Sequence, residues 1–140
     1  MKDLINHQTQ PTPWSCVHTC IAMMLGVPAQ EVIDRIGEKH GLNSFLAIGA
    51  LAKFGFRFAP LSMCMQSLWD GWHMAAVPSL NHEGGFHEIL IYYFEGEMRV
   101  VDPAIGKRYA EDGSDLKSWS ELILVKPGGS LSYFDSNFAR

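Results

Sequence analysis

The chain has 140 residues, of which 47% are hydrophobic and 19% charged, and it carries a formal net charge of -4. This length suits one domain with a core of its own, and the composition excludes a disordered or collagen-like chain. The basic residues are scattered, so the continuous positive surface of a nucleic-acid-binding protein is missing. We therefore expect a single globular domain that does not bind nucleic acid.

The apolar segments and the cysteines predict where the protein is found. No apolar run reaches the roughly 20 residues that a membrane-spanning helix needs, and residues 1–8 lack the apolar segment of a secretory signal. The three cysteines are an odd number, which is typical of a reducing compartment. We expect a cytoplasmic protein without a membrane span, and its oligomeric state stays open.

Apolar periodicity predicts helices in the first half of the chain. We expect them at Cys16–Leu25, 30–38 and 43–54. The first should be capped by Ser15 and preceded by an extended segment over residues 11–13, which contains two prolines. Because apolar residues surround nearly the whole of the first helix, we expect it to lie in the core.

The second half of the chain is predicted to be mostly sheet. Strands are expected at 56–60, 74–80, 87–94, 97–102 and 121–125, with short helical turns at 65–69 and 115–119. Helices followed by antiparallel strands indicate an α+β fold. A linker-like stretch begins at Pro127-Gly128-Gly129, so we divide the chain into a domain, 1–126, and a C-terminal tail, 127–140. These glycines form either a hinge to an anchored tail or a flexible, cleavable segment.

Cys16 is the candidate nucleophile. A thiol in the first turn of a helix lies at the positive end of the helix dipole, which favours the thiolate. Buried cysteines are more often small core residues, and we assign that role to Cys20 and Cys64. A metal site built from Cys16, His18 and Cys20 is excluded, because His18 points to the opposite side of the helix. We therefore expect neither a metal ion nor a cofactor.

A predicted hairpin in the second half builds a pair between a histidine and an aspartate. A two-residue turn at Glu95-Gly96 sets the register and places Ile89 opposite Asp102. Since side chains two apart on a strand share a face, His87 comes within hydrogen-bond reach of Asp102. A carboxylate on one imidazole nitrogen leaves the other to take a proton from a nucleophile. The alternative is a purely structural pair.

Several short sequences together resemble a known family. Gln10 precedes Cys16 by six positions, and the second half contains Phe-His-Glu-Ile-Leu from Phe86 and Val-Asp-Pro-Ala-Ile-Gly-Lys from Val101. From Gln10 to Val125, this order and spacing resemble the papain-like cysteine peptidases that remove double-glycine leader peptides from bacteriocins, usually as the N-terminal domain of an ABC transporter. The resemblance implies a papain-like fold with N-terminal helices packed on a C-terminal antiparallel sheet.

The resemblance also implies a role for each residue of the site. Cys16 would be the thiolate nucleophile, His87 the general base and Asp102 the residue that orients it. Gln10 would donate a hydrogen bond to the oxyanion beside the backbone N–H of Cys16, a contact that stabilises the transition state. Gln8 is a weaker candidate, because its spacing from the cysteine differs by two.

The sequence departs from the family next to the thiol. Ser15-Cys16-Val17 stands where the family commonly has Asp-Cys-Gly. We therefore expect Trp14 and Val17 to narrow the substrate cleft and to favour small residues before the scissile bond. The expected function is cleavage of a peptide or isopeptide bond in a peptide or protein substrate, through an acyl-enzyme. Two alternatives stay open: an amidase or acyl transferase on the same fold, and a catalytically inert peptide-binding module.

Overall fold

The structure, a computed structural model, describes residues 5–38, 44–61 and 67–138. The elements in chain order are α1 (Cys16–Leu25), α2 (Ala29–Ile36), α3 (Ser44–Lys53), β1 (Arg57–Leu61), β2 (Gly71–Pro78), β3 (Phe86–Phe94), β4 (Glu97–Val101), β5 (Glu121–Lys126) and α4 (Leu131–Asn137). The predicted bounds of α1 are confirmed, and the predicted α+β class is confirmed with them. α2 ends before the predicted 38 because Gly37 leaves the helical conformation, with φ 76°.

The predicted helical turn at 115–119 is wrong. These residues form a turn followed by irregular chain. The side chains of two aspartates bind nearby backbone N–H groups, since Asp112 accepts from Ser114 N and Asp115 accepts from Ala110 N, each at 3.0 Å. Such local bonds compete with a helix for the backbone donors.

Part of the sequence prediction falls outside the described residues. Of the helical turn expected at 65–69, the structure describes 67–69, and these residues are irregular. Cys64 lies outside the described residues. The predicted strands are all present, and the largest difference is that β2 begins at Gly71 instead of 74. Its added residues include the buried Trp72.

The five strands form one antiparallel sheet in the order β1-β5-β2-β3-β4. The last strand in sequence therefore lies between the first two. We call one end of the sheet the Phe86 end. β3 and β5 begin at this end, and β2 and β4 finish there. β5 finishes at the opposite end, which we call the α4 end because α4 follows it.

Side chains of the sheet alternate between two apolar faces. Met74, Leu90 and Ile123 lie on one face, in a cluster that they share with buried residues of α1. Ile89 and Leu122 lie on the other face, in a smaller cluster. α1 is thus packed on the sheet, as predicted, and its burial explains why its apolar residues extend round the helix.

α1 and α2 meet at a sharp bend. Gly26 ends α1 in the left-handed conformation with φ 74°. The Gln8 side chain bridges the connection, since its Nε2 donates to Val27 O at 2.6 Å and its Oε1 accepts from Ala29 N at 3.0 Å. Within the part of the chain that the structure describes, no helix alone is long and apolar enough to cross a membrane; α1 and α2 pass that test only as a pair bent by 118°.

The C-terminal segment belongs to the core. Phe134 is 7% exposed and its ring stacks on Phe54, with 5.2 Å between centroids. Ser130 N donates to Phe54 O at 2.8 Å. Gly129 lies so close to the Phe56 ring that a Cβ there would be 2.5 Å from a ring atom. The segment after Pro127 therefore contributes Phe134 to the same hydrophobic core as α1 and α3.

Candidate active site

The loop before α1 is a hydrogen-bonded turn. Ser15 Oγ accepts from Thr12 N at 3.2 Å and from Thr12 Oγ1 at 2.8 Å. The expected extended segment at 11–13 is therefore wrong, and so is capping by the Ser15 side chain, which is engaged in the loop. The carbonyl of Ser15 instead accepts from Thr19 N at 2.9 Å and from Thr19 Oγ1 at 2.8 Å. These bonds fix the chain that leads into Cys16.

Gln10 is held at two points beside this loop. Its backbone N donates to Pro103 O at 2.8 Å, which ties it to the residue after Asp102. Its side-chain Nε2 donates to Thr12 O at 2.9 Å, and the residue is 5% exposed. One N–H of the amide is left for an acceptor outside the loop. Both ends of the Gln8 side-chain amide are hydrogen-bonded in the bend between α1 and α2. Gln8 therefore has no free end of its amide, in contrast to Gln10.

The β3–β4 hairpin has the predicted register. Phe94 pairs with Glu97 across a two-residue turn. Both turn residues have positive φ, 51° at Glu95 and 85° at Gly96, as a tight hairpin turn of this length requires. The last pair of the two strands is Leu90 with Val101, and continuing this register by one residue places Asp102 opposite Ile89.

His87 and Asp102 form the predicted pair. His87 Nε2 donates to Asp102 Oδ1 at 2.6 Å, and their side chains are 11% and 2% exposed. The same carboxylate accepts from Ala104 N at 2.9 Å and from Tyr109 N at 2.8 Å. Burial alone would raise the pKa of Asp102, but the hydrogen bonds from His87 and the two backbone amides lower it. Asp102 is therefore held as an oriented carboxylate.

Cys16 lies near His87, close enough for its thiol to raise the pKa of the imidazole. Nε2 faces Asp102, so Nδ1 is the ring nitrogen left for the thiol. Burial on its own would lower the pKa of His87, but the hydrogen bond to Asp102 and the nearby Cys16 thiol raise it to about 9. The imidazole is therefore charged at neutral pH, between a sulfur atom and a carboxylate. Cys20 is fully buried, and burial raises the pKa of its thiol, so Cys16 is the accessible thiol of α1.

The two residues expected to narrow the cleft differ in exposure. Trp14 is partly exposed and its indole meets the His18 ring edge-on, with 5.4 Å between centroids. Val17 is 2% exposed and belongs to the core cluster. Of the two, only Trp14 has surface that another molecule can contact, because Val17 lies on the buried side of α1.

Sequence reasoning missed Glu88. This residue follows His87 on β3 and is 3% exposed. Its pKa is raised by burial and by the nearby Cys16 and Glu121. The signal in the sequence was a glutamate between a histidine and the apolar run Ile-Leu-Ile. A charged residue at such a position is rarely buried without a reason.

The described residues offer no metal centre, since no three His, Cys, Asp or Glu side chains among them are grouped so as to hold an ion. A cavity of about 280 Å³ borders Asp102 and is lined also by Arg99 and Arg108. Neither Cys16 nor His87 lines it. The site brings together the thiol of Cys16, the imidazole of His87 and the carboxylate of Asp102.

Comparison of the chain with protein-family models gave no match, and comparison with curated proteins gave none either. The interpretation of the site therefore depends on its own geometry.

Proposed function

We propose that the chain is a cysteine peptidase with a papain-like fold, which cleaves a peptide or isopeptide bond after a small residue. The observation that carries the proposal is the position of His87, whose Nε2 bonds to Asp102 and whose ring lies close enough to the Cys16 thiol for that thiol to raise its pKa. A structural His-Asp pair would need no thiol at its second nitrogen. The α+β architecture, with the thiol at the start of the first helix, is compatible with the resemblance to papain-like peptidases.

In the first step, Cys16 Sγ attacks the carbonyl carbon of the scissile bond as a thiolate. The carbonyl oxygen becomes an oxyanion, and two donors stabilise it. One is the backbone N–H of Cys16, which has no acceptor within the helix because it belongs to the first turn. The other is the N–H of Gln10 that is not bonded to Thr12. Such donors contribute about 3 kcal/mol each to the transition state.

In the second step, the imidazolium of His87 donates its proton to the leaving amine, and the carbon–nitrogen bond breaks. The product is a thioester between the substrate acyl group and Cys16. A water molecule then gives a proton to His87 and attacks the thioester, which releases the acid and restores the thiolate and imidazolium. Asp102 keeps its hydrogen bond to Nε2 throughout and so holds the ring in orientation.

Internally quenched peptides with glycine or a bulky residue before the scissile bond test the proposal. We expect the wild type to cleave the glycine series and the Cys16→Ala variant to cleave none. Cys20→Ala is the matched control, one helical turn away, and should keep activity. Binding of the peptides without cleavage by the wild type would contradict the proposal and favour a binding module. Transfer of the acyl group to an added amine, with no acid released, would favour an acyl transferase.

A further inference from the structure

Two glutamates flank a small residue at the Phe86 end of the sheet. Ala76 on β2 pairs with Glu88 on β3 and, on its other side, with Glu121 on β5. Side chains of directly paired residues point to the same face of a sheet. The two carboxyl groups therefore flank the methyl group of Ala76, and their backbones are about 10 Å apart, since neighbouring strands lie about 4.8 Å apart.

Both carboxyl groups keep a buried oxygen without a hydrogen bond. Glu88 is 3% exposed and Glu121 is half-buried. Among the residues that the structure describes, no donor bonds to Glu88 Oε2 or to Glu121 Oε1, and no Lys or Arg forms an ion pair with either residue. A buried carboxyl oxygen without a donor destabilises a protein. The two oxygens therefore keep hydrogen-bonding capacity that a donor on a bound molecule can fill.

This pair of carboxyl groups lies next to the candidate nucleophile. The alternation of β3 puts Glu88 on the face shared with Leu90, which α1 covers. Cys20 Sγ, one helical turn after Cys16, donates to Glu88 O at 3.6 Å. Burial raises the pKa of Glu88, and Cys16 and Glu121 raise it further while His87 lowers it, so the carboxyl group is within electrostatic reach of the thiol.

We propose that Glu88 and Glu121 form a subsite over Ala76 that binds a basic side chain of the substrate close to the scissile bond. The inference rests on the proposed function, because it takes the substrate to be a peptide. An ammonium group has three donors and a guanidinium group has five, so either can satisfy both unbonded oxygens at once. The chain therefore selects substrates that carry lysine or arginine beside a small residue.

Thiol-specific reagents of different charge test this subsite without any need for turnover. Cationic aminoethyl methanethiosulfonate and neutral methyl methanethiosulfonate both form a disulfide with a thiolate and release methanesulfinate. Their rates at Cys16 are measured by mass spectrometry of the peptide that contains it. We expect the ratio of the cationic to the neutral rate to fall about tenfold in Glu88→Gln and in Glu121→Gln, because each variant replaces a carboxyl group, which can ionise when the cation binds, with an amide that cannot.

Glu97→Gln is the matched control, since it removes an exposed carboxylate at the far end of the hairpin. Its ratio should equal that of the wild type, and an unchanged neutral rate in Glu88→Gln shows that the variant has folded. Equal ratios in the wild type, Glu88→Gln and Glu121→Gln would overturn the subsite, even if peptides are cleaved. A lowered ratio in both variants supports the subsite, even if no peptide is cleaved and the peptidase proposal fails.

Discussion

The Phe86 end of the sheet holds the buried polar side chains of the candidate site, whereas the α4 end holds a pair of stacked aromatic rings. At the Phe86 end, Gln10, Glu88 and Asp102 are each at most 5% exposed. At the α4 end, Phe134 stacks on Phe54 and completes the core. Buried polar groups arranged for chemistry contribute little to stability, while buried aromatic rings contribute much. We infer that the α4 end holds the fold together so that the Phe86 end can keep a buried polar site.

The substitution Cys16→Ala tests the Phe86 end, where we expect the largest effect on activity. We expect kcat to fall by at least about a thousandfold, because no other group in the site can form the thioester. The midpoint of thermal unfolding should change little, since the side chain is small and partly exposed. Activity assays and thermal unfolding of the same preparation measure both. Undiminished turnover would end the assignment of Cys16 as nucleophile.

Phe134→Ala tests the α4 end. We expect the free energy of unfolding to fall by about 3 kcal/mol, because a ring that is 7% exposed leaves a cavity against Phe54. The kcat of the folded protein should equal that of the wild type. Phe138→Ala on the same segment is the control, since that ring is 44% exposed and should contribute less. A fall in kcat with an unchanged free energy of unfolding would show that the α4 end contributes to catalysis and not to stability, which would contradict the comparison.

Gln10→Ala distinguishes a catalytic residue from one that orders the loop. We expect kcat to fall about a hundredfold with little change in KM, because the oxyanion contact forms only in the transition state. Gln8→Ala should instead lower stability and leave kcat unchanged, since Gln8 bridges α1 and α2. Equal effects of the two changes on kcat would show that both act through loop order.

The stability of the Phe86 end should depend on pH through His87. Its pKa is about 9 in the folded protein against an ordinary value of 6.5. A raised pKa contributes stability that is complete below the unfolded value and is lost as the pH rises through the folded value. We expect the free energy of unfolding to fall by about 1–3 kcal/mol from pH 6.5 to about pH 10. Urea titrations measure this, and Asp102→Asn, which removes the charged partner, should show a smaller fall; an equal fall would contradict the role of the pair.

The sequence predicted most of what depends on local pattern. Apolar periodicity located α1, and the two-residue turn at Glu95-Gly96 predicted the register that brings Asp102 to His87. Both signals act over a few residues, so they need no knowledge of the rest of the fold.

What the sequence did not predict depends on contacts between distant segments. α4 is a seven-residue helix held by the stacking of Phe134 on Phe54, and short helices take their stability from such packing. The insertion of β5 between β1 and β2 brings Glu121 to Ala76 and, across it, to Glu88. The unbonded carboxyl oxygens could not be predicted, because Glu88 and Glu121 become neighbours of Ala76 only through the order of the strands in the sheet.

The rate at which iodoacetamide alkylates Cys16 tests the central claim most directly, because it reports the thiolate without a substrate. At pH 6.5 an ordinary thiol is only about 1% ionised. We expect Cys16 to be alkylated before Cys20 and at least about tenfold faster in the wild type than in His87→Ala, since the imidazolium stabilises the thiolate. Mass spectrometry of the digested protein measures both. Equal rates in the wild type and in His87→Ala, or alkylation of Cys20 first, would contradict an activated thiol paired with His87.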